Sequence, residues 1–461
     1  MGIIIATFVA QNSRVMKKVT AVLVLCLAFV AMRAQEDSLR EVKTITLDQA
    51  VQIALSENVS VKIADQEIKR TQYAKKGTYA ALFPTIDAAG SFQRTIKKQK
   101  MYMDVPVPGM EDGLEVGRWN TWSMGATATM PIVNAQLWKS IAISGQDVEL
   151  AVEKARSSRI ETVSAVKQAF YAVLLAKEAF GVYKSVYENA ARNFEQTQKK
   201  YNALRASELD LTRAKTNLAN AVPDVYDSES AILITLWQLK AVMGVDLDEN
   251  IDVAGSLTDY ADELQVVLYP EGGYNLDNNS TMRQLAIQAE QLANAVRLQK
   301  YAYIPTLSLA FTYSINAMDN AFVFSDYKWT PYSYVGLSLN IPIFSGGKRL
   351  NSVRQAKVQA TELALQRSNT ERQLQIAIRQ SLKQMETAVK SYSSAESAVE
   401  TAEKAYQIAS QSYEVGRSTL TDLSASQLSL TQAQLALCQA VYTYLSAKAS
   451  LESTLGSDIT R

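Results

Sequence analysis

Apolar residues recur at every seventh position along two long stretches of the chain. Val166, Val173, Phe180, Tyr187, Phe194 and Tyr201 form one series, and Ile378, Met385, Tyr392, Val399, Tyr406 and Tyr413 form the other. A sustained period of seven keeps one seam of a helix against its neighbours and imposes supercoiling. Locally these residues are an ordinary aromatic core stripe; the length is what matters. From about Ala135 to Ala203 the chain holds no Pro and only two Gly. At about 1.5 Å per residue this predicts one helix of roughly 100 Å. Shorter helices are predicted from about Leu47 to Leu82 and from about Glu208 to Met243, each about half the length of the long one. Pro223 predicts a kink in the first return helix, and the second return helix has no Pro.

Elsewhere the period is two. Met124, Ala126, Ala128 and Met130 alternate with Ser123, Gly125, Thr127 and Thr129 before Pro131. Val335, Leu337, Leu339 and Ile341 alternate with Tyr334, Gly336, Ser338 and Asn340 around Pro342. The run Leu307 to Tyr313 behaves similarly, and the run after Pro84 more weakly. Alternation gives a strand one apolar and one polar face. Trp119, Trp122, Phe324, Trp329 and Tyr332 cluster near the strand ends, as aromatic girdles do at membrane interfaces. A soluble sandwich with one wet face is the alternative. A closed barrel needs about eight strands or more, and an open edge in lipid leaves backbone groups unpaired at several kcal/mol each. The roughly four strands of this chain must then be joined by strands of sister copies, three copies giving roughly twelve.

Both patterns occur twice because the chain is a tandem repeat. Asn58 precedes Pro84-Thr85 by 26 residues, as Asn279 precedes Pro305-Thr306. Tyr201, Arg205, Asp210 and Leu211 match Tyr413, Arg417, Asp422 and Leu423 at identical spacing, and Met243-Gly244 matches Leu455-Gly456. Each half reads helix, Pro, strand, loop, strand, Pro, long helix, turn, helix, Gly. The expected organisation is an N-terminal extension and signal peptide over 1–34, a first repeat over 35–244, an irregular acidic connector over 245–278 and a second repeat over 279–461.

The N-terminus reads as an export signal. Met16-Lys17-Lys18 precedes an apolar run from about Val19 to Ala31, which closes on the small residue Ala34. The run is shorter than the about 20 residues a membrane span needs; an uncleaved anchor is the alternative. Leu25, before Cys26, is too large for a lipoprotein site. No other long apolar stretch occurs, so membrane residence would rest on strands. The net charge of +1 points to no nucleic acid. Histidine is absent, which removes the commonest general base and metal ligand. Cys26 and Cys438 make neither a disulfide framework nor a zinc cluster. No cofactor, metal site or catalytic residue is expected, and the chain does not read as an enzyme.

The helix–helix turns hold the candidate chemistry. The first contains Tyr201, Leu204, Arg205, Ala206, Ser207 and Asp210; the second contains Tyr413, Val415, Gly416, Arg417, Ser418, Thr419 and Asp422. Gly416 suits a left-handed helix stop. Ser207 and Thr419 suit N-caps, each with Asp three residues later, so Asp210 and Asp422 read as capping partners. The sharper reading makes both aspartates charged rings lining a narrow entrance. Arg205 and Arg417 sit at matched tip positions suited to docking a partner or closing a gate.

Taken together, the order of these motifs resembles the TolC-type outer membrane efflux protein family. The resemblance covers about residues 40–456. It rests on the duplicated order, on Phe83-Pro84-Thr85 and Ile304-Pro305-Thr306, on Pro342-Ile343-Phe344-Ser345-Gly346-Gly347, and on Tyr413-Glu414-Val415-Gly416 leading to Asp422. It implies a mainly α fold with membrane β-structure: a homotrimer with an α-helical barrel in the periplasm and a shared outer-membrane β-barrel. It implies tips docked to a periplasmic adaptor fed by an inner-membrane pump, and a passive exit duct for small molecules. The same duct serving polypeptide secretion or metal-ion efflux is the alternative; a soluble coiled-coil rod is a more distant one. In the family, the tyrosine at Tyr413 helps hold the entrance closed and the aspartate at Asp422 lines the pore. Tyr201 and Asp210 are their counterparts in the first repeat. The family's gate arginine falls at Ser418 and a second pore aspartate at Ala425, so this sequence departs from the pattern at both. The tips, from Leu204 to Ser207 and from Val415 to Thr419, are the expected docking surface.

Overall fold

The computed structural model describes residues 42–102, 113–265 and 274–456. The expected signal peptide lies outside them. In chain order the elements are β1 (Lys43–Ile45), α1 (Leu47–Glu57), α2 (Val59–Ala80), β2 (Thr85–Arg94), β3 (Gln99–Met101), β4 (Leu114–Val116), β5 (Asn120–Val133) and α3 (Ala135–Asn202). Then follow α4 (Glu208–Met243), β6 (Ile251–Val253), a 3-10 helix (Leu257–Glu263), α5 (Ser280–Tyr301), β7 (Thr306–Asp319), β8 (Thr330–Asn340), α6 (Lys348–Glu414) and α7 (Leu420–Leu455). The long helix predicted from about Ala135 is α3, with 68 residues.

The described residues form two compact units. One holds the described residues of Met1–Asn58, Thr162–Leu268 and Ser381–Ser450, the other those of Val59–Glu161, Tyr269–Gln380 and Leu451–Arg461. The sequence repeats cut across both, because α3 and α6 each contribute residues to each unit.

The second unit holds an antiparallel sheet in the order β2-β5-β7-β8. Its register carries the period-two pattern across every strand. Ile86, Ala128, Phe311 and Val335 make one cross-strand rung, while Asp87, Thr127, Thr312 and Tyr334 make the next, on the opposite face. Thr127 and Thr312 share a hydroxyl contact of 3.4 Å on that polar face. The apolar face is uncovered: Val335 and Leu337 are each 68% exposed. A sandwich would bury these residues. β2 and β8 each pair on one side only among the described residues.

In the first unit, β1 and β6 form a parallel pair that the sequence pattern did not reveal. The segment expected to be irregular therefore contains a strand and a 3-10 helix. Lys177 anchors them, with Nζ 2.6 Å from Asp252 Oδ1 and 2.8 Å from the carbonyl of Val253. In this unit the heptad seam is buried at Val166, Val173 and Met385. Its second position is small: Ala388, Ala395 and Ala402 are buried three residues after Met385, Tyr392 and Val399. Alternating large and small side chains lets such seams interdigitate.

The single helix expected over Leu47 to Leu82 is two, broken at Asn58. Asn58 takes a non-helical ψ of 130° and donates from Nδ2 to the carbonyl of Val242 at 2.7 Å. Gly244 closes α4 in the left-handed conformation, φ +77°, where a Cβ would stand 2.6 Å from the carbonyl oxygen of Glu57. The other unit repeats the joint. Asn279 donates to the carbonyl of Thr454 at 2.6 Å, and a Cβ on Gly456 would stand 2.2 Å from the oxygen of Asn278. Arg156 reinforces this second joint, donating to the carbonyls of Asn278 and Gly456 at 3.0 Å each. Its charge is balanced by Glu153 at 3.0 Å. Pro223 does not end α4, which continues as helix to Met243.

Candidate functional site

The two turns stop their helices in the same way. In the first, the amide of Arg205 donates to the carbonyl of Lys200 at 2.7 Å; in the second, Arg417 donates to Ser412 at 2.8 Å. Such a six-to-one bond needs a left-handed residue just before it. The second turn supplies Gly416, φ +78°; the first supplies Leu204, φ +57°, with its side chain 94% exposed. A left-handed side-chain-bearing residue costs about 1–2 kcal/mol. Leu204→Gly is therefore expected to stabilise the first turn by about 1 kcal/mol, after the greater chain entropy of Gly in the unfolded state is subtracted. Limited proteolysis at the tip reads this out, and faster cleavage of the variant would contradict it.

Both following helices begin with a reciprocal cap. Ser207 Oγ accepts from the amide of Asp210 at 3.1 Å, and Asp210 Oδ2 accepts from the amide and hydroxyl of Ser207 at 3.3 and 2.7 Å. Asp422 Oδ2 accepts from the Thr419 hydroxyl at 2.6 Å, the Thr419 amide at 3.1 Å and the Ser418 hydroxyl at 3.3 Å. The Thr419 hydroxyl, and then its amide, hold the Asp422 carboxyl below the usual carboxylate range. A lowered folded-state pKa adds stability above the unfolded value and loses it as pH falls through the folded one. Exchange of the Asp422 amide is thus expected to quicken below about pH 4 relative to the trend at neutral pH, and Thr419→Ala should abolish the difference. Identical pH profiles in both proteins would count against it.

Between the hairpins lies a small core of Ala214, Tyr413, Leu420 and Leu423, flanked by Phe194, Tyr406 and Ala409. Tyr413 is 7% exposed. Its hydroxyl lies 2.6 Å from Thr197 Oγ1 on α3. The ammonium of Lys200 sits 4.0 Å above its ring and donates to its carbonyl. That carbonyl belongs to the last turn of α6, where the helix dipole favours a cation. Burial lowers the Lys200 pKa, and the nearby Glu414 carboxylate opposes the shift. Gln196 adds a bond to Glu414 at 3.2 Å, and Asn217 bonds Ser424 at 2.9 Å.

The expected site residues thus separate. Tyr413 is locked in the tip core, and Ser418, Thr419 and Asp422 form one cap. Tyr201, its first-repeat counterpart, is exposed, as are Arg205, Val415 and Arg417, while Ala206 is half-buried. Sequence reading missed Thr197 and Lys200. Thr197 occupies the seam position where the second repeat carries Ala409, and a fully buried hydroxyl in place of a methyl is the signal that could have found it.

At the loop end of the sheet, Phe92 packs on Trp122 with ring centroids 4.5 Å apart, Phe324 meets Trp122 at 5.8 Å, and Trp329 meets Phe324 at 5.5 Å. These rings cluster on the apolar side, where Phe92 and Trp122 form a rung with Ala317. Trp119 stands apart, beneath Lys98 Nζ at 4.6 Å. Tyr332 is a correction to the girdle. Register places it opposite Ser314, on the hydroxyl-bearing face, where it stacks on Tyr334 with centroids 6.5 Å apart.

Residues 50–245 and 274–457 match the family described as outer membrane efflux protein, which covers both repeats. The chain belongs to this family. The probable efflux pump outer membrane protein TtgC of Pseudomonas putida is 24% identical over 322 residues, 68% of this chain. The match spans 62% of that relative's length. Among solved structures, the CmeC outer membrane channel of Campylobacter jejuni superimposes with a TM-score of 0.70 at 20% identity, over 89% of this chain and 85% of that one. The MtrE outer membrane channel of Neisseria gonorrhoeae, in its open state, gives 0.68 at 18% identity, over 89% and 88%. The fold is that of these channels. Family membership places the chain in the outer membrane, extending into the periplasm. No described helix is long and apolar enough to cross a membrane.

Proposed function

We propose that this chain is the outer-membrane duct of a tripartite efflux system, a passive channel for small molecules. A periplasmic adaptor engages its tips and an inner-membrane pump supplies the energy. One observation supports the reading: a sheet with an exposed apolar face whose β2 and β8 each pair on one side only among the described residues. The sheet has an even number of alternating strands, so β8 of one copy meets β2 of the next in antiparallel sense, whatever the number of copies. Two copies would give roughly eight strands, a barrel whose interior side chains fill, whereas three give roughly twelve and leave a lumen. The polar rungs, from Asp87 to Tyr334, then line that lumen. At the tips, Tyr413, Thr197 and Lys200 hold the entrance closed, with Asp422 and Asp210 beside it. Leu204, Arg205, Val415 and Arg417 are the exposed docking residues.

In one copy β2 and β8 are separated by two strands, about 14 Å, beyond the reach of a disulfide. Cysteines scanned along both edges, in a Cys438→Ser background, are therefore expected to crosslink only between copies, giving a ladder that ends at three. A strain lacking the gene should accumulate a fluorescent dye faster, with the wild-type gene restoring export. A purely monomeric crosslinking pattern would dismiss the ring. Unchanged accumulation across a panel of small molecules would dismiss small-molecule export.

A further inference from the structure

The loop end of the sheet is built to hold a particular part of the bilayer. Residues 320–329 fold back over the apolar face. Asn120, buried at the start of β5, donates from Nδ2 to the carbonyls of Asn320 and Ala321 at 3.5 and 3.2 Å. Tyr327, also buried, donates its hydroxyl to Ala321 at 3.0 Å. These bonds set Phe322 against Phe92 at 5.6 Å and Phe324 against Trp122 at 5.8 Å. Phe322 and Phe324 nonetheless remain 64% and 63% exposed. Polar bonds are thus used to fix aromatic rings outward, on the face that meets lipid.

Register places Arg94 opposite Asn120, one same-face rung beyond Phe92 and Trp122. Its side chain is exposed. Along this face, then, come aliphatic rungs, an aromatic collar and a guanidinium. That order matches a leaflet read from acyl chains to interface to headgroups. The same rung continues to Asp319 on β7, one strand away from Arg94, and the basic residues of the surrounding segment lie mostly before residue 101. Lys97, Lys98, Lys100 and Arg118 accompany Arg94, and Glu115 is the one acid among the described residues of 91–102 and 113–122. Asp104, Glu111 and Asp112 lie outside the described residues.

We propose that Arg94, supported by these lysines, binds a phosphate of an outer-leaflet glycolipid whose acyl chains rest on Phe322 and Phe324. A guanidinium pairs two phosphate oxygens at once, which a zwitterionic headgroup with its own ammonium offers less well. The inference rests on placement in the outer membrane but not on transport.

The test is native mass spectrometry of the full-length protein in detergent, titrated with bisphosphorylated lipid A and with its fully dephosphorylated form. The wild-type protein is expected to retain the phosphorylated lipid at least about fivefold more. Arg94→Gln should cut the preference below about twofold, and Arg94→Lys should keep part of it. Lys383→Gln with Lys390→Gln, an equal or larger loss of charge elsewhere, should leave it unchanged. No preference in the wild-type protein would overturn the proposal without any variant. So would full retention by Arg94→Gln, an equal loss in the lysine control, or displacement by inorganic phosphate alone. Envelope fractionation run alongside separates failure of the site from failure of the membrane placement.

Discussion

Tyr413→Ala raises the single-channel conductance of the assembled protein in planar bilayers, by roughly threefold or more, if the tips form the constriction. The size of the effect follows from how much one side chain holds. Its hydroxyl meets Thr197 at 2.6 Å, its ring seats Lys200 at 4.0 Å, and its body fills the core with Leu420 and Leu423. Truncating a buried aromatic residue costs about 3–5 kcal/mol, enough to release one hairpin from the other. Thr197→Val removes only the hydroxyl bond and should give a smaller increase. Lys200→Ala separates the cation from the packing. It should raise conductance, and n-propylammonium in the bath should lower it again by refilling the seat on the ring and the helix end. Propanol should not. Unchanged conductance in Tyr413→Ala would remove this residue from closure. An increase there with none in Lys200→Ala would keep the gate and discard the lysine's part in it.

The second large effect lies away from the tips. Gly456→Ala is expected to cost at least about 3 kcal/mol, the sum of a left-handed backbone and a collision with a carbonyl. The added Cβ would stand 2.2 Å from Asn278 O, which Arg156 also binds, so the carbonyl cannot retreat without breaking that bond. Gly244→Ala, at 2.6 Å from Glu57 O, should cost less. Thermal melts of the helical signal in detergent check both. A melting point for Gly456→Ala equal to that of the wild-type protein would show that the joint yields freely.

Most of the architecture was legible because it is periodic. A period of seven marks α3 and α6, a period of two marks the sheet, and Pro and Gly punctuate them. The paired caps at Asp210 and Asp422 were readable because caps are local. What was not legible depends on residues far apart in the chain. The break at Asn58 is held by a bond to the carbonyl of Val242, 184 residues on in the chain. β1 and β6 are three residues each, too short to show alternation. Tyr332 looks like its neighbouring aromatics in sequence, and only its register opposite Ser314 turns it to the other face. Thr197 and Lys200 acquire their roles from Tyr413, more than two hundred residues on.

The two sheet edges, each paired on one side only among the described residues, also bear on inheritance and dosage. A subunit with one spoiled edge strand would still pair through its sound edge, and so enter and ruin a ring made mostly of healthy siblings. In the proposed ring of three copies, cells expressing good and bad copies equally would make only about one ring in eight free of a defective member. Lesions in β2 or β8 should therefore behave as dominant alleles, whereas lesions that keep the subunit from folding at all should be recessive.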